Sequence, residues 1–243
     1  MSAPPIGFDA LPLRAATISN LTQLGYTQMT PIQAASLHLT LDGKDVLAQA
    51  STGSGKTAAF GLPLVEKLNP SVSDAQALVL CPTRELAEQV TQEIRRLARA
   101  VGNVKVVTLC GGVALRGQTQ SLEHGAHVVV GTPGRILDHL ERGSLQLQTV
   151  NTLVLDEADR MLDMGFFDDI AKLARQCPKA RQTLLFSATY PDGIAKLASQ
   201  FMRDPHNVKV QAQHDASKIR QIFYQVNESE RLHAVSLILN HFR

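Results

Sequence analysis

Cysteine is scarce in this 243-residue sequence, which contains only Cys81, Cys110 and Cys177. An odd number of cysteines without C-x-x-C spacing argues against a disulfide framework and against a cysteine-type zinc site. The same scarcity is typical of proteins from a reducing compartment. We therefore expect a cytoplasmic protein whose cysteines are small buried residues.

Long apolar runs and a strong charge bias are also absent. No run approaches the length of a membrane span, and residues 1–5 have neither the basic nor the apolar part of a signal peptide. Lys and Arg together number 24 and Asp and Glu 22, for a net charge of +2. Since such a charge creates no general field for polyanions, a nucleic-acid site must be local, and we expect no membrane contact.

The most informative stretch is the glycine-rich segment at 50–57, which follows the apolar run 45–48 and precedes a helix-like segment. A strand, a glycine-rich turn and a helix together form a cradle in which backbone amides and the helix dipole bind phosphate. Ala50 stands where the usual phosphate loop has glycine, and a plain turn is the alternative interpretation. The predicted nucleotide-binding residues of the loop are Ser51, Thr52, Gly53, Ser54, Gly55, Lys56 and Thr57.

Short apolar runs alternate with helix-like segments after this loop. The runs lie at 77–80, 104–109, 127–130, 153–155, 183–186 and 208–210, and the helical segments at 84–101, 115–122, 134–141, 167–176 and 192–201. Continuous β-branched runs of this length are typical of strands buried on both faces. The pattern predicts an α/β domain with a parallel sheet covered by helices on both sides.

The ends of the chain differ in character from this core. Residues 1–41 contain helical spacing and belong to the first domain, whose core we place at 42–210. Residues 211–220 are polar and indicate a linker. A strand at 221–226 and an amphipathic helix at 228–242 follow, and because one such unit cannot form a core, 221–243 is predicted to begin a second domain.

Polar and glycine residues directly follow the predicted strands, at the sheet edge where parallel sheets bind their ligands. In chain order they are Pro82, Thr83, Arg84, Gly112, Thr132, Gly134, Arg135, Asp156, Glu157, Ser187 and Thr189.

Two of these residues, Asp156 and Glu157, carry the chemistry of hydrolysis. A carboxylate at the end of the strand 153–155 can hold Mg²⁺, and an adjacent carboxylate can orient and deprotonate an attacking water. An acidic turn that starts a helix is the alternative, but a phosphate loop upstream favours the functional interpretation.

The two arginines of the set, Arg84 and Arg135, each begin a helix near a strand end. With hydroxyl and backbone donors beside them, they suit contacts to a phosphate backbone that fix position without reading sequence. Salt bridges and helix caps explain them equally well. Ser187 and Thr189 could relay the state of the nucleotide, or could cap the helix that follows.

The ordered set of motifs resembles the DEAD-box RNA helicases over about residues 8–210. The matching motifs are residues 50–57, 82–86, 111–112, 132–135, 156–159 (Asp-Glu-Ala-Asp) and 187–189. Residues 25–33 are similar to the family's Q motif, with Met29 where proline is common, and Phe8 lies 17 positions before Gly25, as in the family. Ala50 is normal for this family. The chain also resembles a bacterial subtype that is linked to ribosome assembly.

The resemblance implies a RecA-like P-loop domain, with a mostly parallel sheet and helices on both faces, that binds ATP or ADP, Mg²⁺ and RNA. It implies that Gln33 hydrogen-bonds adenine and that Tyr26 stacks on it, near Phe8. In the implied active site Lys56 binds phosphates, Thr57 and Asp156 hold the metal and Glu157 activates water. Coupling to RNA is implied for Asp159, Ser187 and Thr189, and RNA contacts are implied for Pro82, Thr83, Arg84, Gly112, Thr132, Gly134 and Arg135.

The resemblance implies that residues 221–243 begin the family's second RecA-like domain, which supplies arginine fingers, but no residue after Val210 can be matched to that role. We therefore expect a monomer that binds nucleotide but hydrolyses it slowly and does not unwind duplexes. Three alternatives remain: a DNA helicase or translocase with a similar core, a nucleotide-dependent adaptor, and a P-loop kinase. The kinase is disfavoured because no acceptor pocket or lid segment is evident.

Overall fold

The computed structural model describes residues 7–210 and 222–242, and these two ranges fall in separate compact units. The strands of the first range are β1 (Val46–Gln49), β2 (Ala77–Leu80), β3 (Val106–Leu109), β4 (Val128–Gly131), β5 (Thr152–Leu155), β6 (Gln182–Ser187) and β7 (His206–Lys209). They form one sheet in the order β3-β4-β2-β5-β6-β1-β7, and every described pair is parallel.

Helices connect the strands and cover the sheet. They are α1 (Ala15–Gln23), α2 (Pro31–Leu41), α3 (Lys56–Lys67), α4 (Arg84–Ala98), α5 (Leu115–Glu123), α6 (Pro133–Glu141), α7 (Ala158–Asp163), α8 (Phe167–Gln176) and α9 (Asp192–Phe201), with a 3-10 turn at Phe8–Ala10 before α1. Thr30 is the N-cap residue of α2 and Pro31 its first residue, as the sequence predicts.

Two hydrophobic clusters explain why the strand sequences are apolar without alternation. Val46, Ala48 and Val79 pack into one cluster, while Leu47 and Leu78 pack into the other. Successive side chains of a strand point to opposite faces, so both faces of this sheet are buried. The predicted α/β architecture with a doubly covered parallel sheet is confirmed.

Element boundaries differ from the prediction in a few places. The strand predicted at 104–109 is Val106–Leu109, and the strand predicted at 208–210 is His206–Lys209. The sequence analysis also missed α7, which at six residues is too short to show a helical repeat of apolar side chains. None of these differences moves a site residue away from the carboxyl edge of the sheet.

The second range, 222–242, contains the predicted helix but not the predicted strand. A 3-10 turn at Glu228–Glu230 leads into α10 (Arg231–His241). No strand is present at 222–227, because an isolated extended segment has no neighbour to accept its backbone hydrogen bonds. Most of the apolar side chains here are exposed, including Phe223 at 88% and Leu232 at 87%. The linker predicted at 211–220 and the first residue of that strand lie outside the described residues.

None of the helices within 7–210 and 222–242 combines the length and the apolar character that crossing a membrane requires.

Candidate nucleotide-binding site

A cleft of about 430 Å³ opens at the carboxyl edge of the sheet. Its lining comes from the loop after β1, the start of α3, one face of α4 and the residues that follow β5. The side chains and backbone that line it belong to Tyr26, Thr52, Gly53, Gly55, Lys56, Thr57, Ala58, Leu86, Gln89, Val90, Glu93, Asp156 and Glu157. This volume lies within the range of roughly 300–1,000 Å³ that ligand pockets occupy.

The loop between β1 and α3 has the geometry of an anion cradle. Gly53 and Gly55 adopt left-handed backbone conformations, with φ of +77° and +92°, and α3 begins directly after Gly55. The Ala50 amide donates to the Ser187 carbonyl at 3.0 Å, which ties the start of the loop to β6. Since the first amides of a helix have no partner within the helix, the start of α3 presents them to an anion.

The Lys56 ammonium is buried and has no hydrogen-bond acceptor among the described residues. The residue is only 6% exposed and lines the cleft at the first position of α3. A buried ammonium without an acceptor is costly, so a partner that supplies acceptors would stabilise it. A phosphate in the cradle would supply the missing acceptors.

Asp156 is fully buried at the end of β5, and its environment disfavours the charged form. Burial raises the pKa of its carboxyl to about 6; the Lys56 ammonium opposes the shift and the Glu157 carboxylate adds to it. Its Oδ1 accepts a hydrogen bond from the Glu157 amide at 3.0 Å. A carboxylate beside a phosphate cradle fits a divalent cation, and neutralising its charge would remove the penalty of burying it.

Glu157 has an unusual backbone conformation. Its φ of 51° and ψ of 50° place a residue with a Cβ atom in the left-handed region, where conformations cost about 1–3 kcal/mol and cluster at functional sites. Its carboxylate lines the cleft, with Arg160 as an ion-pair partner at 3.4 Å. The strained turn thus lies at a residue that both lines the cleft and pairs with the first turn of α7.

Asp159 and Thr189 connect the segment after β5 to the segment after β6. Asp159 Oδ2 accepts from the Thr189 amide at 2.9 Å and from the Thr189 hydroxyl at 2.8 Å. Burial alone would raise the pKa of Asp159, but these hydrogen bonds outweigh it and hold the pKa below its ordinary value. Ser187, the last residue of β6, is fully buried. Two of the predicted coupling residues, Asp159 and Thr189, are thus bonded directly, whereas the Ser187 hydroxyl has no hydrogen-bond partner among the described residues.

Of the residues predicted to bind adenine, Gln33 is bonded to the phosphate loop and is not among the residues that line the cleft. Gln33 is 1% exposed; its Oε1 accepts from the Thr30 amide at 2.9 Å and its Nε2 donates to the Gly55 carbonyl at 3.0 Å. One N–H and one lone pair of the Gln33 amide remain for a base. Tyr26 lines the cleft, whereas Phe8 is 4% exposed and packs edge-on against Tyr26 with ring centroids 6.0 Å apart. Phe8 therefore supports Tyr26 from behind and is not part of the cleft lining.

The predicted RNA-binding residues around β2 and β3 lie together at the same edge of the sheet. Pro82 is buried, and Thr83 caps α4 by accepting from the Leu86 amide at 3.3 Å. Arg84 is exposed and pairs with Glu88 at 2.8 Å. A Cβ atom at Gly112 would lie 3.6 Å from Arg84 Nη1, so these two predicted contacts are neighbours.

Arg135 has a structural role that its sequence position did not reveal. Its Nη1 donates to the Val113 carbonyl and to Gln118 Oε1, both at 3.0 Å. The His139 ring also bonds Gln118 Oε1 at 3.0 Å, and Gln118 Nε2 donates to the Cys110 carbonyl at 2.9 Å. Arg135 thus braces α6 against the segment after β3.

Two other predicted RNA contacts flank this brace. Thr132 precedes α6 as its N-cap residue, and its amide donates to the Leu109 carbonyl at 3.1 Å. A Cβ atom at Gly134 would meet no atom within 4 Å, so Gly134 leaves open surface beside the start of α6.

Glu93 was not predicted as a site residue, although it lines the cleft. It lies on α4 with Leu86 and Val90, and this spacing of four and three residues places the three on one helical face. Glu93 could have been found from the sequence by this periodicity, because Leu86 lies within the motif at 82–86 and Glu93 lies on the same helical face.

Comparisons with known proteins agree with this geometry. A sequence profile described as DEAD/DEAH box helicase matches residues 30–197. The chain belongs to this family. A DEAD box protein of known structure from the hyperthermophile Methanococcus jannaschii shares 41% identity at a TM-score of 0.81, covering 96% of this chain and 63% of that one. The predicted RecA-like α/β fold is thereby confirmed.

Curated members of the DEAD/DEAH box family show the same likeness. The chain is 51% identical over 228 residues to the ATP-dependent RNA helicase DbpA of Escherichia coli (strain K12), which covers 94% of this chain and 50% of that protein. It is 46% identical over 234 residues to the DEAD-box ATP-dependent RNA helicase CshA of Geobacillus kaustophilus (strain HTA426), covering 96% and 50%. The chain thus spans about half the length of these relatives.

Proposed function

We propose that the chain is the ATP-binding part of an ATP-dependent RNA helicase, with residues 1–210 as its first RecA-like domain and 221–243 as the start of a second. The observation that carries the proposal is the buried Lys56 ammonium, which lacks an acceptor among the described residues and faces a phosphate cradle. A cleft that runs from this cradle to a tyrosine ring fits a nucleoside di- or triphosphate. The names of the relatives favour ATP and RNA over the other nucleotide-dependent classes.

In the proposed mechanism the chain's own residues bind the nucleotide, and they orient and deprotonate the attacking water. The loop amides and Lys56 hold the phosphates, and Glu157 accepts a proton from the water that attacks the terminal phosphorus. The bond from that phosphorus to the bridging oxygen breaks, and ADP and phosphate are released. Thr57 and Asp156 would hold Mg²⁺, which supplies charge neutralisation at the phosphates. The fit of the metal is supported by the fully buried carboxylate of Asp156, whose charged form needs a cation.

The base is held by Tyr26 and Gln33 in this proposal. Tyr26 offers a ring face, and the free N–H and lone pair of the Gln33 amide match the donor and acceptor edge of adenine. Because Gln33 also bonds the Gly55 carbonyl, base recognition and the phosphate loop share one side chain.

RNA would lie along the exposed edge near Arg84, Gly112 and Gly134, held mainly through its phosphates. Contacts of that kind give little base specificity. Asp159, Ser187 and Thr189 would connect this edge to the nucleotide. Arginine fingers contributed by a second domain are worth ~10³–10⁵ in rate, so we expect slow hydrolysis and no unwinding by the 243-residue chain. The corresponding cellular role is in ribosome assembly, to which the bacterial subtype that this chain resembles is linked.

Titration calorimetry tests the proposal directly. The chain is titrated with ATP, ADP, AMP and GTP in the presence of Mg²⁺, alongside Lys56→Ala and Gln33→Ala. We expect adenine-selective binding of ATP and ADP that Lys56→Ala abolishes and Gln33→Ala weakens. Equal affinity for GTP would remove the adenine site and favour another class of P-loop protein. A parent chain that binds none of the four nucleotides would contradict the proposal.

An adaptor that binds nucleotide without turnover is the second candidate. Single-turnover hydrolysis with protein in excess over ATP separates the two. Measurable turnover that Glu157→Gln removes would support the enzyme, and its absence at intact ATP binding would support the adaptor.

A further inference from the structure

Glu93 makes two polar contacts at the base end of the cleft. Its Oε1 accepts a hydrogen bond from the Tyr26 hydroxyl, and its Oε2 pairs with Arg96 at 2.8 Å. Both Tyr26 and Glu93 line the cleft. The contact joins residues 67 positions apart, so it fixes the loop before α2 against the middle of α4.

The Tyr26 ring is therefore held at two points. Phe8 packs perpendicular to it from the buried side, with an interplanar angle of 90°, and Glu93 holds the hydroxyl end. Burial and the Glu93 carboxylate raise the pKa of the Tyr26 phenol above its ordinary value, so the phenol stays protonated and remains a donor. These two contacts restrict the motion of the Tyr26 ring, which lines the cleft.

From this geometry we infer that Glu93 is a positioning residue, which presents the Tyr26 ring to the nucleotide base. The inference rests on the proposed function. Pre-ordering the ring removes the entropy that a free side chain would lose when the base binds, so affinity for nucleotides that carry a base should depend on Glu93. Affinity for phosphate chains without a base should not, because the cradle is formed by other residues.

Arg96 also contacts Glu93, but this ion pair does not position the Tyr26 ring. Its ion pair with Glu93 is half exposed, and pairs of that kind contribute little. The Arg96 side chain also does not line the cleft, whereas Glu93 does. Arg96→Ala is thus a matched control that removes the second partner of Glu93 and leaves the hydrogen bond to Tyr26 in place.

The test measures ADP and tripolyphosphate binding by calorimetry for the 243-residue chain and for Glu93→Ala, Glu93→Gln, Tyr26→Phe and Arg96→Ala. Glu93→Ala and Tyr26→Phe should each lower the affinity for ADP by about fivefold, which corresponds to one lost hydrogen bond. Glu93→Gln retains an acceptor oxygen and should stay within about twofold of the parent, as should Arg96→Ala. Tripolyphosphate affinity should be the same for all five proteins.

A double-mutant cycle with Glu93→Ala and Tyr26→Phe separates positioning from a general structural role. If Glu93 acts through the tyrosine hydroxyl, Glu93→Ala should cost nothing further in the Tyr26→Phe background. Additive losses, an equal loss of tripolyphosphate affinity, or a Glu93→Gln variant as weak as Glu93→Ala would each overturn the inference.

Tyrosine absorption gives an independent reading, because the sequence has three tyrosines and no tryptophan. Adding ADP should change the near-ultraviolet tyrosine spectrum of the parent, and both Glu93→Ala and Tyr26→Phe should reduce that change. A parent that binds neither ADP nor tripolyphosphate would overturn the proposed function. A parent that binds both, with Glu93→Ala unchanged, would overturn only the role of Glu93.

Discussion

The Asp159 carboxylate accepts two hydrogen bonds from Thr189, one from the amide at 2.9 Å and one from the hydroxyl at 2.8 Å. Thr189→Val removes the second bond without changing the shape of the side chain. We expect it to lower the free energy of unfolding at pH 7 by about 1 kcal/mol, the lower end for a hydrogen bond to a charged group, since the pair is partly exposed. Urea unfolding measures this, with Thr189→Ser as the control that keeps a hydroxyl.

The effect of Thr189→Val should also depend on pH. The pKa of Asp159 is lowered, so the native state holds this proton less tightly than the unfolded state does. The stability that the bond adds is thus present above the ordinary carboxyl range and is lost as pH falls through the lowered pKa. The difference between Thr189→Val and the parent should shrink as the pH falls from 7 to below the ordinary carboxyl range. An equal difference at both pH values would show that the charge on Asp159 plays no part.

Gly55 and Gly53 give a second prediction with its own control. Both have positive φ, but a Cβ atom at Gly55 would lie 2.6 Å from Gln33 Nε2, whereas one at Gly53 would meet nothing within 4 Å. Gly53→Ala should therefore cost only the left-handed backbone, about 1–2 kcal/mol. Gly55→Ala should in addition displace the Gln33 amide and weaken ADP by about tenfold more than Gly53→Ala does. Thermal unfolding and calorimetry together measure both effects, and equal losses of ADP affinity would exclude the contact with Gln33 as the cause.

Arg135 and Arg84 are both predicted to contact RNA, but replacing them should change the stability of the protein by different amounts. Arg135 donates to Val113 and Gln118, whereas Arg84 is exposed and, among the described residues, pairs only with Glu88, one helical turn away. Arg135→Ala should lower the free energy of unfolding by about 1–2 kcal/mol, because it removes the brace between α6 and the segment after β3. Arg84→Ala should leave the melting temperature unchanged. If both variants melt like the parent, Arg135 is a surface arginine and not a brace.

The sequence predicted the sheet and the site edge, but not the contacts between distant segments. Strands such as Ala77–Leu80 can be recognised from the sequence because four consecutive buried side chains must be apolar. The residues that follow them meet at one edge of any parallel sheet, which is why Lys56 and Asp156 could be placed together. The bond between Gln33 and Gly55 and the bond between Tyr26 and Glu93 join residues 22 and 67 positions apart. Their existence depends on how α2 and α4 pack, and local periodicity carries no information about that.

Asp156 provides the last prediction, because its burial opposes its charge. Its pKa is raised to about 6, so the native state binds this proton more tightly than the unfolded state, and the parent loses stability as pH rises from about 4 through 6. Asn does not titrate, so without nucleotide and Mg²⁺ the variant Asp156→Asn should match the parent near pH 4 and be more stable at pH 8. A shift of this size, which already includes the attraction of Lys56, amounts to about 3 kcal/mol, and we expect a gain of that order.

Thermal unfolding between about pH 4 and pH 8 checks this, with and without ADP and Mg²⁺. Ligand should raise the melting temperature of the parent at pH 8 and have little effect on Asp156→Asn, because the amide cannot replace the carboxylate at the cation. The variant would then be the more stable protein alone and the less stable one with ligand. A variant that is less stable than the parent at pH 8 without ligand would mean that the attraction between Asp156 and Lys56 exceeds the cost of burying the carboxylate. The buried carboxylate would then be explained by its pairing with Lys56, and the argument that it awaits a metal ion would lose its support.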